Sequence, residues 1–410
     1  MTTWDSATVT WASLFETWED RPAALPAEIP PIWPVVGVWE RDDTGANVWS
    51  LVGRIGAWTS IEADPRYNTP GTWTLVVPWS AQAAEVTRTR LVTLDWRGKR
   101  LTCLVDALTV AQGDAGPVLT VSGLDAMALL GHLVCFPTPG APLSAQGVRY
   151  SRLGPAETLI RDLIAANFPR HTLPLTVPAS QGRGRTVRLW ERYSNLLEVV
   201  TKKAKNGGIG VRVGLVNTTG PNRAELKVEF YSPQDRTSQI RLSHRIGALR
   251  SWSSQSQGPT ATRAYVGGDG KGAGRIIRQV VDTAAETDWD RIREVFVDAK
   301  GTSDWDELDE RGIEALAEGG PRYGFELETV EAQGMRLFSH YDLGDVVSVV
   351  LPVGEPSSQR VGGAKVTFDG NGYSVQVVPG NPDATSPMFA QSALLRGLRW
   401  LTSRLEREEP

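Results

Sequence analysis

Histidine and cysteine are scarce in this chain, with four of the first and two of the second in 410 residues. Histidine supplies most acid–base chemistry near neutral pH, so its scarcity counts against catalysis. His132, His171, His244 and His340 show no His-x-x-x-His spacing, and Cys103 and Cys135 make no Cys-x-x-Cys pair, so no zinc-ligand pattern is present. Each cysteine sits in an apolar stretch and is expected to be a buried free thiol, as a chain made in the cytoplasm would keep it. Neither sign of charge dominates. A formal charge of -4 leaves no basic footprint for specific nucleic-acid binding. No stretch approaches the ~18 consecutive apolar residues of a membrane-spanning helix. The first residues also lack a basic segment followed by an apolar one, so no secretory leader is expected.

What the chain has in quantity is tryptophan, 15 residues, with 41 glycines and 26 prolines that mark it as turn-rich and globular. Large aromatics supply packing and contact area, so the balance of Trp over His favours contact over catalysis. Trp39, Trp49, Trp58, Trp73, Trp79 and Trp96 crowd one region. Buried, they are core. Exposed, they could stack on sugar rings, which keeps a carbohydrate-binding module as the alternative function.

Five segments follow from the pattern. Residues 1–34 carry Trp4, Trp11 and Trp18 every seven positions and then a Pro-rich run, read as an extended arm and stiff linker. Residues 35–144 read as β, with Trp73, Leu75 and Val77 alternating against Thr72, Thr74 and Val76. A turn at Arg97-Gly98-Lys99 is expected to join a strand Leu91–Trp96 to a strand running from Arg100 to Val110. Residues 145–238 read as an α+β insertion. It holds a helix opening near Pro155 and a second one capped by Ser194 and ended by Gly207-Gly208. Residues 239–382 form a second β region interrupted by an acidic helix, capped at Ser303 or Asp304, whose carboxylate face is expected to be solvated. Asp369-Gly370-Asn371-Gly372 signals a late hairpin. In residues 383–410, Leu394, Leu398, Leu401 and Leu405 step by four, three and four, a short heptad seam suited to self-association.

Candidate chemistry is thin. The run Gly267-Gly268-Asp269-Gly270-Lys271-Gly272-Ala273-Gly274-Arg275 has the glycines and lysine of a phosphate-cradling loop. It lacks the Lys-Ser or Lys-Thr pair opening a helix, so it is expected to join two strands. Val121-Ser122-Gly123 lacks the glycine two residues before the serine that a nucleophile elbow needs. Asp342 and Asp345, three residues apart in a tight turn, are expected to accept local backbone N–H groups rather than serve as a hydrolytic carboxylate pair. Gly344, between Leu343 and Asp345, lets the chain turn sharply into the strand that follows. Gly267, Gly268, Gly270, Gly344 and Asp345 are therefore structural turn residues. No catalytic, cofactor or metal-binding residue is expected.

Read in order, several segments resemble the minor tail proteins, or baseplate hub proteins, of siphoviruses infecting actinobacteria. They are Gly71-Thr72-Trp73-Thr74-Leu75, Val121-Ser122-Gly123-Leu124, Asn195 to Val200, Tyr265 to Gly270 with Arg275, Arg293 to Asp298, and Tyr341 to Val347. Asp269 departs from the glutamine more usual in that family. The resemblance implies an α+β, mostly β fold of two tail-tube-like β-barrels with α+β insertions, and a non-enzymatic virion role at the tail tip. It also implies a homotrimeric ring that meets the distal tail protein, the tape-measure protein and the spike or receptor-binding proteins, with DNA passing through its lumen.

Overall fold

The computed structural model describes residues 33–380 apart from 43–45, 244, 246–247, 330, 332–333 and 352–356. The Trp-rich arm and the leucine seam at 394, 398, 401 and 405 lie outside the described residues.

Strands β1 (Val35–Arg41), β2 (Trp49–Ile55), β3 (Ser60–Asp64) and β4 (Thr72–Pro78) come first, followed by the single-turn helix α1 (Ala81–Ala84). The hairpin β5 (Leu91–Trp96)–β6 (Lys99–Cys103) turns through Arg97 and Gly98, both at positive φ, the backbone twist that suits a two-residue hairpin. Strands β7 (Ala107–Gly113) and β8 (Gly116–Leu124) then lead to a 3-10 helix, Ala126–His132. The single strand expected from Arg100 to Val110 is thus two strands in different sheets. Their separation follows from the crossing at 104–106, where Leu104 N–H bonds Leu124 O at 2.8 Å and Leu104 O accepts the indole N–H of Trp73 at 2.8 Å.

The middle of the chain holds β9 (Tyr150–Pro155), α2 (Ala156–Asn167), β10 (Thr186–Glu191), α3 (Leu196–Gly207), β11 (Gly210–Asn217) and β12 (Arg223–Tyr231). Helix α3 ends as expected on Gly208 at φ 72, but its N-cap is Asn195 rather than Ser194. The Asn195 carboxamide oxygen accepts Leu197 and Glu198 N–H, and its amide donates to Gly131 O at 2.8 Å. The remaining elements are β13 (Arg241–Ser243), β14 (Leu249–Gln257), β15 (Arg263–Gly267), β16 (Ile277–Val281), α4 (Thr283–Trp289), β17 (Glu294–Asp298) and α5 (Trp305–Gly319). After them come β18 (Arg322–Thr329), β19 (Val346–Val350), β20 (Ser357–Asp369) and β21 (Gly372–Pro379).

Two large sheets organise these strands. One has the order β11-β12-β2-β1-β5-β6, and the other runs β14-β18-β21-β20-β3-β4-β8-β7 with β19 attached to β20 and β13 to β19. Each sheet draws strands from both sides of a boundary read in the sequence. The first combines 35–144 with 145–238, and the second combines 35–144 with 239–382. The architecture is α+β and mostly β, and no backbone ladder closes either sheet into a barrel among the described residues. The six-stranded sheet curls until its outer strands meet through side chains: Leu215 N–H donates to Thr102 Oγ1 at 2.8 Å and Arg100 to Asn217 Oδ1 at 2.6 Å.

The six-stranded sheet is covered on both faces. Val36, Val38, Val92, Leu94 and Trp96 point into a core shared with Ile61, Trp73 and Leu75 of the larger sheet. Trp39 and Leu91 point the other way, into a core with α2, α3 and the 3-10 helix. Successive residues of a strand point to opposite faces, so β1 and β5 read as nearly continuous apolar runs. Trp39, Trp49, Trp73 and Trp96 are core, while Trp79 is half exposed. Cys103 and Cys135 are buried free thiols, as expected.

Strands β14 and β18 pair up to Gln257 and Arg322, and residues 258–321 loop out between them as a separate unit. It consists of the three-stranded sheet β16-β15-β17 with α5 packed on it. A Cβ on Gly312 would lie 2.4 Å from Val280 Cγ2, so glycine there sets how closely α5 approaches the sheet.

Substituting Asn195 by Ala removes the cap of α3 and should cost about 1–2 kcal/mol in denaturant unfolding. Asn195→Asp, which keeps the acceptor but loses the bond to Gly131, should cost less.

Candidate functional site

The Tyr341–Val347 turn is where the separate parts of the chain converge. Gly344 takes φ 90, and a Cβ there would lie 2.4 Å from the Tyr67 ring, so glycine is required twice over. Asp345 is buried and accepts one local backbone N–H, as expected from sequence, and one from a distant segment. Its Oδ1 takes Gln234 N–H at 2.7 Å and its Oδ2 takes Asp342 N–H at 3.0 Å. Asp342 does more than cap its neighbour. Oδ1 accepts Leu343 N–H at 2.8 Å, while Oδ2 accepts Lys99 Nζ at 2.7 Å and Arg212 Nη2 at 3.2 Å. One carboxylate therefore ties the turn to the β5–β6 hairpin and to β11. Burial pushes its pKa up, but Arg212 and Lys99, with the bonds from Lys99 and the Leu343 amide, more than offset this and hold it below the usual carboxylate range.

The β3–β4 connection enters the same joint. Asn68, at φ 60, mimics a strand residue alongside β11: its Oδ1 accepts Val211 N–H at 2.7 Å and its amide donates to Ile209 O at 2.9 Å. Tyr67 OH donates to Ile209 O at 2.7 Å, and Tyr231 OH to Leu343 O at 3.2 Å, with the two rings packed edge to face. The Arg212 guanidinium lies 4.2 Å from the Tyr231 ring centroid. Beside the joint, a groove of about 550 Å³ runs between β6 and β11, bordered by Asp95, Arg100, Arg212, Asn217, Glu229 and Tyr231. Its charges are internally paired, Arg100 with Asp95 at 2.6 Å and Arg212 with Glu229 at 3.8 Å.

A second clamp lies at the hairpin tip. Arg97 and Glu331 form a two-pronged ion pair in which both side chains are almost wholly buried. Arg97 also donates to Tyr373 OH at 2.9 Å and lies 3.9 Å from the Trp96 ring centroid. Sequence reasoning missed this pair, because the residues are 234 positions apart. The available signal was an arginine, rather than Asn or Asp, before the turn glycine.

The glycine-rich loop joins β15 to β16, as expected. Asp269 N–H bonds Thr302 O at 2.8 Å and its carboxylate accepts Gly301 N–H at 2.7 Å, while Arg275 donates to Gly267 O and Gly268 O. A Cβ on Gly267 would meet Phe296 and Arg275 at under 3 Å, one on Gly268 would meet Thr302 O at 2.7 Å, and Gly270 sits at φ 110. The amides of Gly268, Asp269, Gly274 and Arg275 are taken by the carbonyls of Ile276, Thr302, Lys271 and Gly272, so they do not converge on an anion. Gly267, Gly268 and Gly270 thus belong to the inserted unit, and Gly344 and Asp345 to the joint.

Two histidines scattered in sequence meet in space. The His132 and His171 rings stack with Nδ1 and Nε2 3.3 Å apart. Because His171 Nδ1 accepts Leu173 N–H at 2.9 Å, its proton sits on Nε2 and is donated to His132. Asp125 is a buried carboxylate that caps the 3-10 helix. Burial pushes its pKa up to about 7 although it accepts Gly71 and Met127 N–H. No group of three or more His, Cys, Asp or Glu gathers to hold a metal among the described residues.

Set beside known proteins, residues 36–381 match the profile of the siphovirus ReqiPepy6 Gp37-like proteins. The chain belongs to that family. No curated protein matches it. Among solved structures, a 43 kDa tail protein of prophage MuSo2 from Shewanella oneidensis aligns with a TM-score of 0.53 at 15% identity, over 85% of this chain and 100% of the other. The prophage tail protein gp18 of Listeria monocytogenes aligns at 0.52 and 11% identity, over 89% and 99%. A tail protein of Neisseria meningitidis aligns at 0.50 and 12% identity, over 85% and 97%. The fold is that of phage tail proteins.

Because Asp342 has a depressed folded-state pKa, its contribution to stability is present above the unfolded-state value near 4 and lost as pH falls through the folded one. Asp342→Asn should therefore lower the melting temperature at pH 7 and lessen its fall on acidification, as read by calorimetry between about pH 5 and 2. Arg97→Met should cost about 3–5 kcal/mol by leaving Glu331 buried and unpaired. Adding Glu331→Leu should recover part of that loss.

Proposed function

We propose that this protein is the hub of a siphovirus tail tip, a structural ring joining the tail tube to the spike or receptor-binding proteins. Membership of a siphovirus family over residues 36–381 carries the reading, and the likeness in fold to prophage tail proteins supports it. Its partners would be two further copies of itself, the distal tail protein, the tape-measure protein and the spike or receptor-binding proteins, with DNA crossing the lumen unbound. The two sheets would act as two tube-like modules, so that three chains present six modules to a sixfold tube. Residues 383–410 would add a self-associating seam through Leu394, Leu398, Leu401 and Leu405. The residues at the joint suit a scaffold: Asp342, Arg212, Lys99 and Asn68 all hold parts of the chain to one another.

Cryo-electron microscopy of the full chain at high concentration should show a threefold ring with a central hole. Leu398→Asp with Leu401→Asp should reduce the trimer fraction in mass photometry. Imaging of native particles that placed the chain away from the tail tip would overturn the reading.

A further inference from the structure

The unit at 258–321 meets the rest of the molecule in an unusual way. Its apolar residues form two small clusters, around Ala261, Ala264 and Leu316 and around Val266, Ala299 and Leu308, and neither joins the two main cores. The chain enters and leaves it side by side, through the paired ends of β14 and β18 at Gln257 and Arg322. Two adjacent strand ends can serve as a hinge, since none of the clusters of buried apolar residues runs across them.

What holds the unit in place is charge. The acidic face of α5 was expected to be solvated, but it lies against a basic surface of the middle region. Lys203 on α3, almost fully buried, reaches Glu310 at 3.3 Å and Glu314 at 3.1 Å, while Lys202 reaches Glu314 at 2.8 Å and Glu318 at 3.6 Å. Arg188 on β10 lies 3.5–3.9 Å from Asp304, Asp306 and Glu310. Arg149 pairs with Glu307 at 2.9 Å.

We propose that residues 258–321 form a hinged module latched to the body by this ionic seam, and that weakening the seam's charges lets the module swing out as an intact unit. The proposal is independent of the tail-hub reading. Ion pairs at the exposed margin of the seam, Lys202–Glu318 and Arg188–Asp306, weaken as the screening length shrinks from ~10 Å at 0.1 M salt to ~3 Å at 1 M. The buried Lys203 pairs are screened less, whereas an apolar contact would tighten or stay unchanged. Opening bares Lys202, Lys203 and Arg188 on the body, so an acidic surface arriving there competes with α5 for the same cations.

The test uses the full chain spin-labelled through Lys205→Cys on α3 and Ala317→Cys on α5, both exposed positions, the two native cysteines being buried. Double electron–electron resonance should give one narrow distance at about 50 mM salt and a second, longer one at about 1 M, with the longer population growing about fivefold. Lys202→Glu should produce the longer population at low salt, and Lys202→Glu with Glu318→Lys, which leaves the Lys203–Glu314 pair in place, should recover part of the narrow one. An unchanged distance across salts and variants would overturn the latch. A broadened distance accompanied by lost amide protection in β15–β17 would overturn the hinge, because the unit would then be unfolding rather than swinging.

Discussion

A sheet that is apolar on both faces cannot stand at the surface, and the rest of the fold follows from that constraint. Val36, Val38 and Trp39 in β1, with Leu91, Val92 and Leu94 in β5, place large side chains above and below one layer. Each fully buried residue of this kind contributes roughly 1.5–3 kcal/mol, so leaving either face open would forfeit more than a domain's usual net stability. One face is met by the larger sheet, the other by α2, α3 and the 3-10 helix. The strands that cover it come from distant parts of the chain, which is why both sheets run across the segment boundaries.

Burial orders the layers but leaves their register free, and polar contacts at the joint supply it. Asp342 receives two cations from two different regions, Asn68 completes the start of β11, and Gly344 clears room for Tyr67. The Arg97–Glu331 clamp pins the hairpin tip against the 331–341 loop. Buried ion pairs add little net stability over apolar substitutes, yet breaking one leaves an uncompensated charge. Such pairs suit a protein whose task is to hold a shape.

The same chemistry serves differently at the seam of the 258–321 unit. At the joint, charges are buried together with aromatic rings and backbone groups. At the seam, they bridge two bodies whose apolar cores are separate. Charge thus fixes geometry in one place and sets a salt-sensitive contact in the other. Both uses are structural, in keeping with a chain that belongs to a siphovirus family and has the fold of phage tail proteins.

Local features were written in the sequence. Alternation in Thr72–Val77, the Arg97-Gly98 turn, the 369–372 hairpin, the caps at Asp304 and Gly208, and the bond from Asp342 N–H to Asp345 all depend on residues within a few positions of one another. The order of six short segments was enough to point to the phage family, since order along a chain survives where identity does not. Only the folded chain decided which strands share a sheet, because pairing such as β3 with β20 joins residues some three hundred positions apart, with nothing local to encode it. The partners of Asp342, Arg97 and Lys203, and the meeting of His132 with His171, were undecided for the same reason. A side chain's type states what it can bond, whereas its partner is chosen by the layers that burial brings together.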